Sequence, residues 1–235
     1  MSPVLSPAVP CFAFVFPWGC AITVSARSSQ QFADFVDGYV LEDPVLTGAR
    51  EQAGELGISS VSRGCGATLR VVAAVSSAKA VVEVGTGTGV SGGWLLRGMR
   101  RDGVLTTIDF EAEHQRIARR VFSAAGNPPS RTRIITGRAL DVLPRLADRA
   151  YDLVFVDHDP SEYGPVVAAA ERLLRPGGTL VLADALAGGR VSDPTIRDSE
   201  TVLLREAVKA LRDSDAWVPA LLPLGEGLLI AARAQ

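Results

Sequence analysis

Between Lys79 and Asp184, five short β-branched runs alternate with helical stretches, and no other feature of the 235-residue chain narrows the fold as far. The runs are AVVEV (80–84), VLTTID (104–109), TRIIT (132–136), YDLVFVD (151–157) and GTLVLAD (178–184). Helical patterns occupy 89–101, 111–125, 139–147 and 162–174 between them. Strands that are apolar almost throughout have both faces covered, and alternation with helices makes them parallel. After an amphipathic segment (195–214) come WVPALLPL (217–224) and GLLIAARA (227–234), joined at Gly225-Glu226-Gly227. That junction is a hairpin signal, so the last strand is expected antiparallel to its neighbour. The expected class is α/β, with a doubly wound, mostly parallel seven-stranded sheet ending in an antiparallel hairpin.

Three short helices are expected before the sheet. The first covers SQQFADFVDGYV. The second starts at Asp43-Pro44, an N-cap followed by proline at the first helical position, and stops near Gly57. The third runs from about Gly64 to Ala78. One domain over 28–235 results, with 28–78 as its helical entry. Residues 1–27 form an apolar extension set aside from the fold. Met1 to Ala26 carries no charge, and its apolar run 11–24 is broken by Pro17 and Gly19. That run is shorter than the ~20 residues a bilayer span needs. Val24-Ser25-Ala26 resembles a cleavage site, but no Lys or Arg precedes the apolar run, so a signal peptide and a loose extension both stay open.

Charge and cysteine content limit the partners. The formal net charge is −2 and the pI about 5.8, which provides no phosphate-tracking surface; neither a nucleic-acid nor a membrane partner is expected. Cys11, Cys20 and Cys65 have neither metal spacing nor a disulfide framework, which suits a reducing, cytoplasmic setting.

Glu83-Val84-Gly85-Thr86-Gly87-Thr88-Gly89-Val90-Ser91 follows the first of the five runs. Its glycines allow tight turning and close approach of a ligand, and a helix N-terminus with free amides follows. Asp109 ends the next run, 24 residues after Gly85, where a carboxylate can hold both hydroxyls of a ribose. A G-x-G-x-x-G match exists at Gly87 to Gly92, but it is two residues out of register with the strand end. The better pattern is acidic-x-G-x-G-x-G with Glu83 leading. A negative charge beside the loop disfavours a pyrophosphate and favours the ammonium and sulfonium of S-adenosylmethionine. As bare strand ends, Glu83 and Asp109 also read as solvated caps.

With VVEVGTGTGVSG, TTIDFEAEHQRIAR, YDLVFVDHDPSEY, LLRPGGTLVLAD and the terminal LGEGLLIAA hairpin, the chain from about Tyr39 onward resembles the class I S-adenosylmethionine-dependent methyltransferases. Within them it is similar to the catechol and caffeoyl-CoA type O-methyltransferases. The resemblance implies a Rossmann-like fold, a homodimer, S-adenosylmethionine as cofactor and a small hydroxyl-bearing acceptor. It implies that Gly85, Thr86, Gly87 and Ser91 lie along the methionine part of the cofactor, with Glu83 behind and Val61 at the methionine end. Asp109 takes the ribose, and Gly137-Arg138-Ala139 flanks the adenine with Ala139 in contact. Val61 reads equally well as plain core.

The fourth run ends at Asp157, and ligands of open α/β sheets bind outside the carboxyl ends of strands. The family pattern there is D-x-D-K, with D-N closing the fifth run; the first Asp and the D-N pair bind a divalent metal, and the Lys assists deprotonation. This chain has Asp157-His158-Asp159-Pro160 and Asp184-Ala185. Asp157 and Asp184 remain as metal ligands, but the Lys and the Asn are lost. Weak magnesium dependence is the expectation. Asp157, His158 and Asp159 are the catalytic candidates, with His158 or Asp159 as general base, and Asp157 is also expected to bind the cofactor, facing its sulfonium side. His114, on a charged helix, is expected in solvent. Two rival readings stay open: a nicotinamide oxidoreductase on the same fold class, and a binder that keeps the cofactor without turnover.

Overall fold

In a computed structural model, backbone is described for residues 12–15, 21–24 and 26–235, and side chains from Gln30 onward. Ser25 of the cleavage-like site, Cys11 and Cys20 lie outside the described residues. Two short strands, β1 (Phe12–Val15) and β2 (Ala21–Val24), pair antiparallel with each other in a sheet of their own.

Three helices follow: α1 (Ala26–Tyr39), α2 (Pro44–Glu55) and α3 (Arg63–Val75). Asp43 caps α2 as expected, its carboxylate accepting from the amides of Val45 and Leu46. The α/β portion then runs β3 (Ala80–Val84), α4 (Val90–Gly98), β4 (Val104–Asp109), α5 (Ala112–Ala124), β5 (Thr132–Thr136) and α6 (Ala139–Val142). It continues with β6 (Tyr151–Val156), α7 (Tyr163–Leu173), β7 (Leu174–Leu182), α8 (Ser199–Asp213), β8 (Trp217–Leu222) and β9 (Leu228–Arg233).

The main sheet has seven strands in the order β5-β4-β3-β6-β7-β9-β8. β3 to β7 are parallel, while β9 runs antiparallel to both β7 and β8. Period-two alternation sends Val81, Leu153, Phe155 and Val181 to one face, against α3, α4 and α5. Val82, Val84, Val154, Val156 and Leu182 go to the other, against α6, α7 and α8. Burial on both faces is why these strands read as continuous apolar runs.

Three expected elements differ. The helix expected over 139–147 is α6 followed by a 3-10 turn at Leu143–Arg145, because Pro144 has no amide to continue it. The strand expected from Gly178 begins at Leu174 and shifts register against β6 between Tyr151 and Leu153. The amphipathic segment starts later than expected, at Ser199, behind the cap of Asp198.

Sequence order reverses between β3 and β6. The two chains leave the sheet in opposite directions there, opening a crevice at the carboxyl ends of these strands. Gly85 and Asp157 stand at that point.

Candidate active site

A cavity of about 350 Å³ opens at this crevice, within the range of small-molecule sites. Its floor is the loop after β3. The ends of β4 and β6, the start of α6 and the segment before α3 make its walls. Val61, Gly85, Thr86, Gly87, Ser91, Asp109, Ala139, Asp157, His158, Asp159 and Asp184 all line it. Of the expected site residues, Glu83 alone does not.

Gly85, Gly87 and Gly89 all have left-handed backbone, with φ of +93°, +47° and +90°. Asp109 holds the loop in shape. Its Oδ2 accepts from the amides of Thr86 and Gly87, each at 3.0 Å, and its Oδ1 accepts from Glu111 N at 2.9 Å. Only 8% of Asp109 is exposed, on the cavity side. His114 is not free in solvent, as its charged helix suggested. It lines the cavity, with Nδ1 3.5 Å from Asp109 Oδ2, because the first turn of α5 folds back over the end of β4.

Glu83 is fully buried one layer below the loop. Ser91 Oγ donates to its Oε1 at 2.7 Å and Thr107 Oγ1 to its Oε2 at 2.6 Å. Burial pushes its carboxyl up to about 8, against the pull of these hydrogen bonds; the nearby charges of Asp157 and Asp109 raise it further. Its carboxyl favours the proton at neutral pH, and one of the two hydroxyl contacts then reverses.

The segment before α3 is tied down by contacts that no local motif announces. Arg50 donates to the Val61 carbonyl at 2.7 Å and pairs with Glu42, which also accepts from Trp94 Nε1. Thr88 Oγ1 donates to the Ala49 carbonyl at 2.8 Å, joining the glycine loop to α2. Ser59 and Ser60 reach the cavity beside Val61 in this way.

The three catalytic candidates differ chemically. Burial, with Asp184 nearby, pushes Asp157 up to about 7. His158 Nε2 lies 3.0 Å from Glu162 Oε2, and Arg138 holds the other oxygen of Glu162 at 3.2 Å. Asp159 is exposed and caps the 3-10 turn Pro160–Glu162 by accepting from Ser161 N, which holds its carboxyl below the usual range. A carboxylate so held is a poor base. Asp184 has left-handed backbone, φ +50°, and is raised by burial and by Glu226. Such backbone costs about 1–2 kcal/mol outside glycine.

The residues fit a resident magnesium poorly. Among the described residues no three His, Cys, Asp or Glu side chains are grouped as ligands. Asp157 and Asp184 supply carboxylates, but Ala185, fully buried, has no side-chain oxygen to add to them. Magnesium keeps several waters in its octahedral shell, so two carboxylates without the Asn oxygen hold it only weakly.

These carboxyls make stability depend on pH. Glu83 and Asp157 titrate near 8 and 7 in the fold and near 4 in the unfolded chain. Their raised values favour folding fully below pH ~4, and that contribution is lost as pH rises through 7 and 8. The melting temperature of the ligand-free protein should fall by several degrees between pH 6 and pH 9, and by less in Glu83→Gln. A flat profile in the wild type, read by circular dichroism, would contradict the burial of both groups.

Fold and cavity together define a doubly wound α/β protein whose crevice is built for a nucleoside. The profile of the O-methyltransferase family matches residues 38–234, and the chain belongs to that family. A probable O-methyltransferase of Mycobacterium tuberculosis (strain H37Rv) is 53% identical over 197 residues, 84% of this chain and 88% of the relative. A Corynebacterium glutamicum protein of solved structure superposes with TM-score 0.83 at 36% identity, over 88% of this chain and 98% of its own. The O-methyltransferase TomG of Streptomyces achromogenes, involved in tomaymycin synthesis and solved in complex with S-adenosylmethionine, superposes with TM-score 0.80 at 28% identity, over 88% and 99%.

Proposed function

We propose that the chain binds S-adenosylmethionine in this cavity and methylates a hydroxyl of a small acceptor. The observation that carries the reading is the glycine loop clamped by Asp109 beside the raised carboxyl of Asp157 in one cavity. TomG, with the same fold and S-adenosylmethionine bound, supports it. Asp109 takes the ribose and Ala139 the adenine. Gly85, Thr86, Gly87, Ser91 and Val61 line the methionine end, with Glu83 behind them. When bound, the cofactor supplies an activated methyl group.

Asp157 is the residue that moves the proton. A carboxyl titrating near 7 is matched to receiving a proton at neutral pH, more so than the low-titrating Asp159. His158 stands next to it on the wall as a second proton acceptor. The protein must also hold the acceptor oxygen in line for attack, and the segment Leu186–Ser192 follows Asp184 at that end. Its Gly188 and Gly189, both left-handed, provide the bend.

Calorimetry with S-adenosylhomocysteine and with NAD tests the cofactor, and turnover against a panel of phenols tests the transfer. Binding of NAD alone would establish the oxidoreductase reading; cofactor binding without turnover would establish the binder. Asp157→Asn should lower kcat by ~10²–10⁴ and leave S-adenosylhomocysteine affinity within a few-fold. Chelator should leave most of the wild-type rate. Full activity of the Asn variant removes Asp157 from the mechanism, and complete loss with chelator, restored by magnesium, reinstates the metal.

The folding unit is residues 28–235, with 1–27 an extension. Phe32, Phe35 and Tyr39 on α1 and Val71 and Val75 on α3 are exposed, and this apolar face supports a homodimer. No helix among the described residues is long and apolar enough to cross a membrane. The cysteine content supports a cytoplasmic setting.

A further inference from the structure

Thr107 lies on β4 with none of its surface exposed and does not line the cavity. The parallel register sets it beside Glu83. Its hydroxyl makes two short contacts, 2.6 Å to Glu83 Oε2 and 2.7 Å to Thr86 Oγ1. Ser91 closes the same network from the other oxygen of Glu83. Thr86 and Ser91 both line the cavity, so one buried carboxyl and three hydroxyls connect the floor of the sheet to the loop.

Counting protons shows what this arrangement can do. Three hydroxyls carry three protons, and an ionised Glu83 only accepts. Ser91 then donates to Oε1, Thr107 donates to Oε2 and Thr86 donates to Thr107. Every hydroxyl proton is used inside the network. A protonated Glu83 adds a fourth proton, and at least one contact must reverse. If Glu83 donates to Thr107, then Thr107 donates to Thr86, and the Thr86 proton is released. If Glu83 donates to Ser91, the Ser91 proton is released. Either way a wall hydroxyl gains a free donor. The charged groups nearest Glu83 are Asp109 at the end of β4 and Asp157 at the end of β6, both acidic.

We propose that Thr107 is a positioning residue for cofactor binding, whose hydroxyl ties Glu83 to Thr86 and so sets which protons the methionine end of the cavity offers. The proposal rests on the cofactor reading above. It assigns a role to a residue that touches no ligand, and that no glycine or acidic motif marks. An unmade hydrogen bond in so buried a place is costly, so removing the Thr107 hydroxyl should disturb Glu83 and Thr86 together.

The test uses the full chain and S-adenosylhomocysteine calorimetry from pH 6 to pH 9. Thr107→Val keeps the shape and deletes the hydroxyl; Thr107→Ser keeps the hydroxyl and deletes a methyl group. Wild-type affinity should change across this range. The Val variant should bind about 10-fold more weakly at neutral pH, with the pH dependence displaced. The Ser variant should restore both affinity and profile. A Val variant within twofold of wild type with an unchanged profile overturns the proposal. So does a Ser variant as weak as the Val variant, because packing rather than the hydroxyl would then be at work. If the Val variant fails to fold, Thr107→Ala, which also lacks the hydroxyl, takes its place under the same criteria. A wild-type chain that binds no S-adenosylhomocysteine overturns the cofactor reading itself, a result separable from either of these.

Discussion

Gly85→Val is expected to yield a chain that does not fold. A Cβ at this position would lie 1.9 Å from the Asp157 carbonyl oxygen and 2.8 Å from its carbon, both backbone atoms just past the end of β6. The residue also has φ +93°, which β-branched side chains do not adopt. Neither neighbour can yield. Gly85 N donates to the Ile108 carbonyl at 2.9 Å, and Asp157 N donates to the Val84 carbonyl at 2.8 Å, so three strands meet there. Left-handed strain and a backbone collision together exceed ~4 kcal/mol, enough to unfold a marginally stable domain. The glycine pattern alone points to a folded protein that has lost only its ligand. The tertiary structure moves the damage to the fold, because strand β6 and not a ligand occupies the space of the missing side chain. Gly87→Ala is the control. Its nearest contact is the Ile58 Cγ2 at 3.6 Å, so it should fold with a loss of about 1–2 kcal/mol from its left-handed backbone. Soluble yield and circular dichroism of the two variants separate the cases; a folded Gly85→Val would contradict the packing of β3 on β6.

Asp109→Ala should abolish measurable cofactor binding and lower the melting temperature together. The substitution removes the acceptor for three backbone amides, those of Thr86, Gly87 and Glu111. Hydrogen bonds to a charged group contribute about 1.5–3 kcal/mol each, and the orphaned amides lie in a nearly buried place. We expect S-adenosylhomocysteine affinity to fall by more than ~100-fold, with the melting temperature down by about 5–10 °C. Asp109→Asn keeps one oxygen acceptor and should recover most of the stability, with affinity still reduced. If Asp109→Ala binds as tightly as the wild type, the carboxylate holds neither the loop nor a ribose.

Asp109 illustrates how much of the site was legible. Its place at the end of an apolar run, a fixed distance past a glycine loop, marked it as a ligand-binding acid. Its second task, holding the loop by two amides, has no local signature, since the partners lie 22 and 23 positions away. Glu83 was legible as part of the pattern and misjudged as a charge, because its ionisation depends on how deeply β3 is covered. Asp159 reads like a catalytic acid beside Asp157. Only the 3-10 turn that follows shows that its carboxylate is committed to Ser161.

What the sequence determined by itself was the set of elements and their class. Apolar, β-branched runs of five to seven residues are too short for amphipathic helices, and burial on both faces satisfies all of them except the edge strand β5. The hairpin, the capped second helix and the glycine loop are likewise local, since turn and cap chemistry acts over a few residues. Strand neighbours, the collision space around Gly85, the committed oxygens of Asp109 and the buried hydroxyls around Glu83 were decided only by tertiary structure. Each depends on which distant backbone lies within about 3 Å, and that distance is set by packing the whole sheet rather than by any run of residues along it.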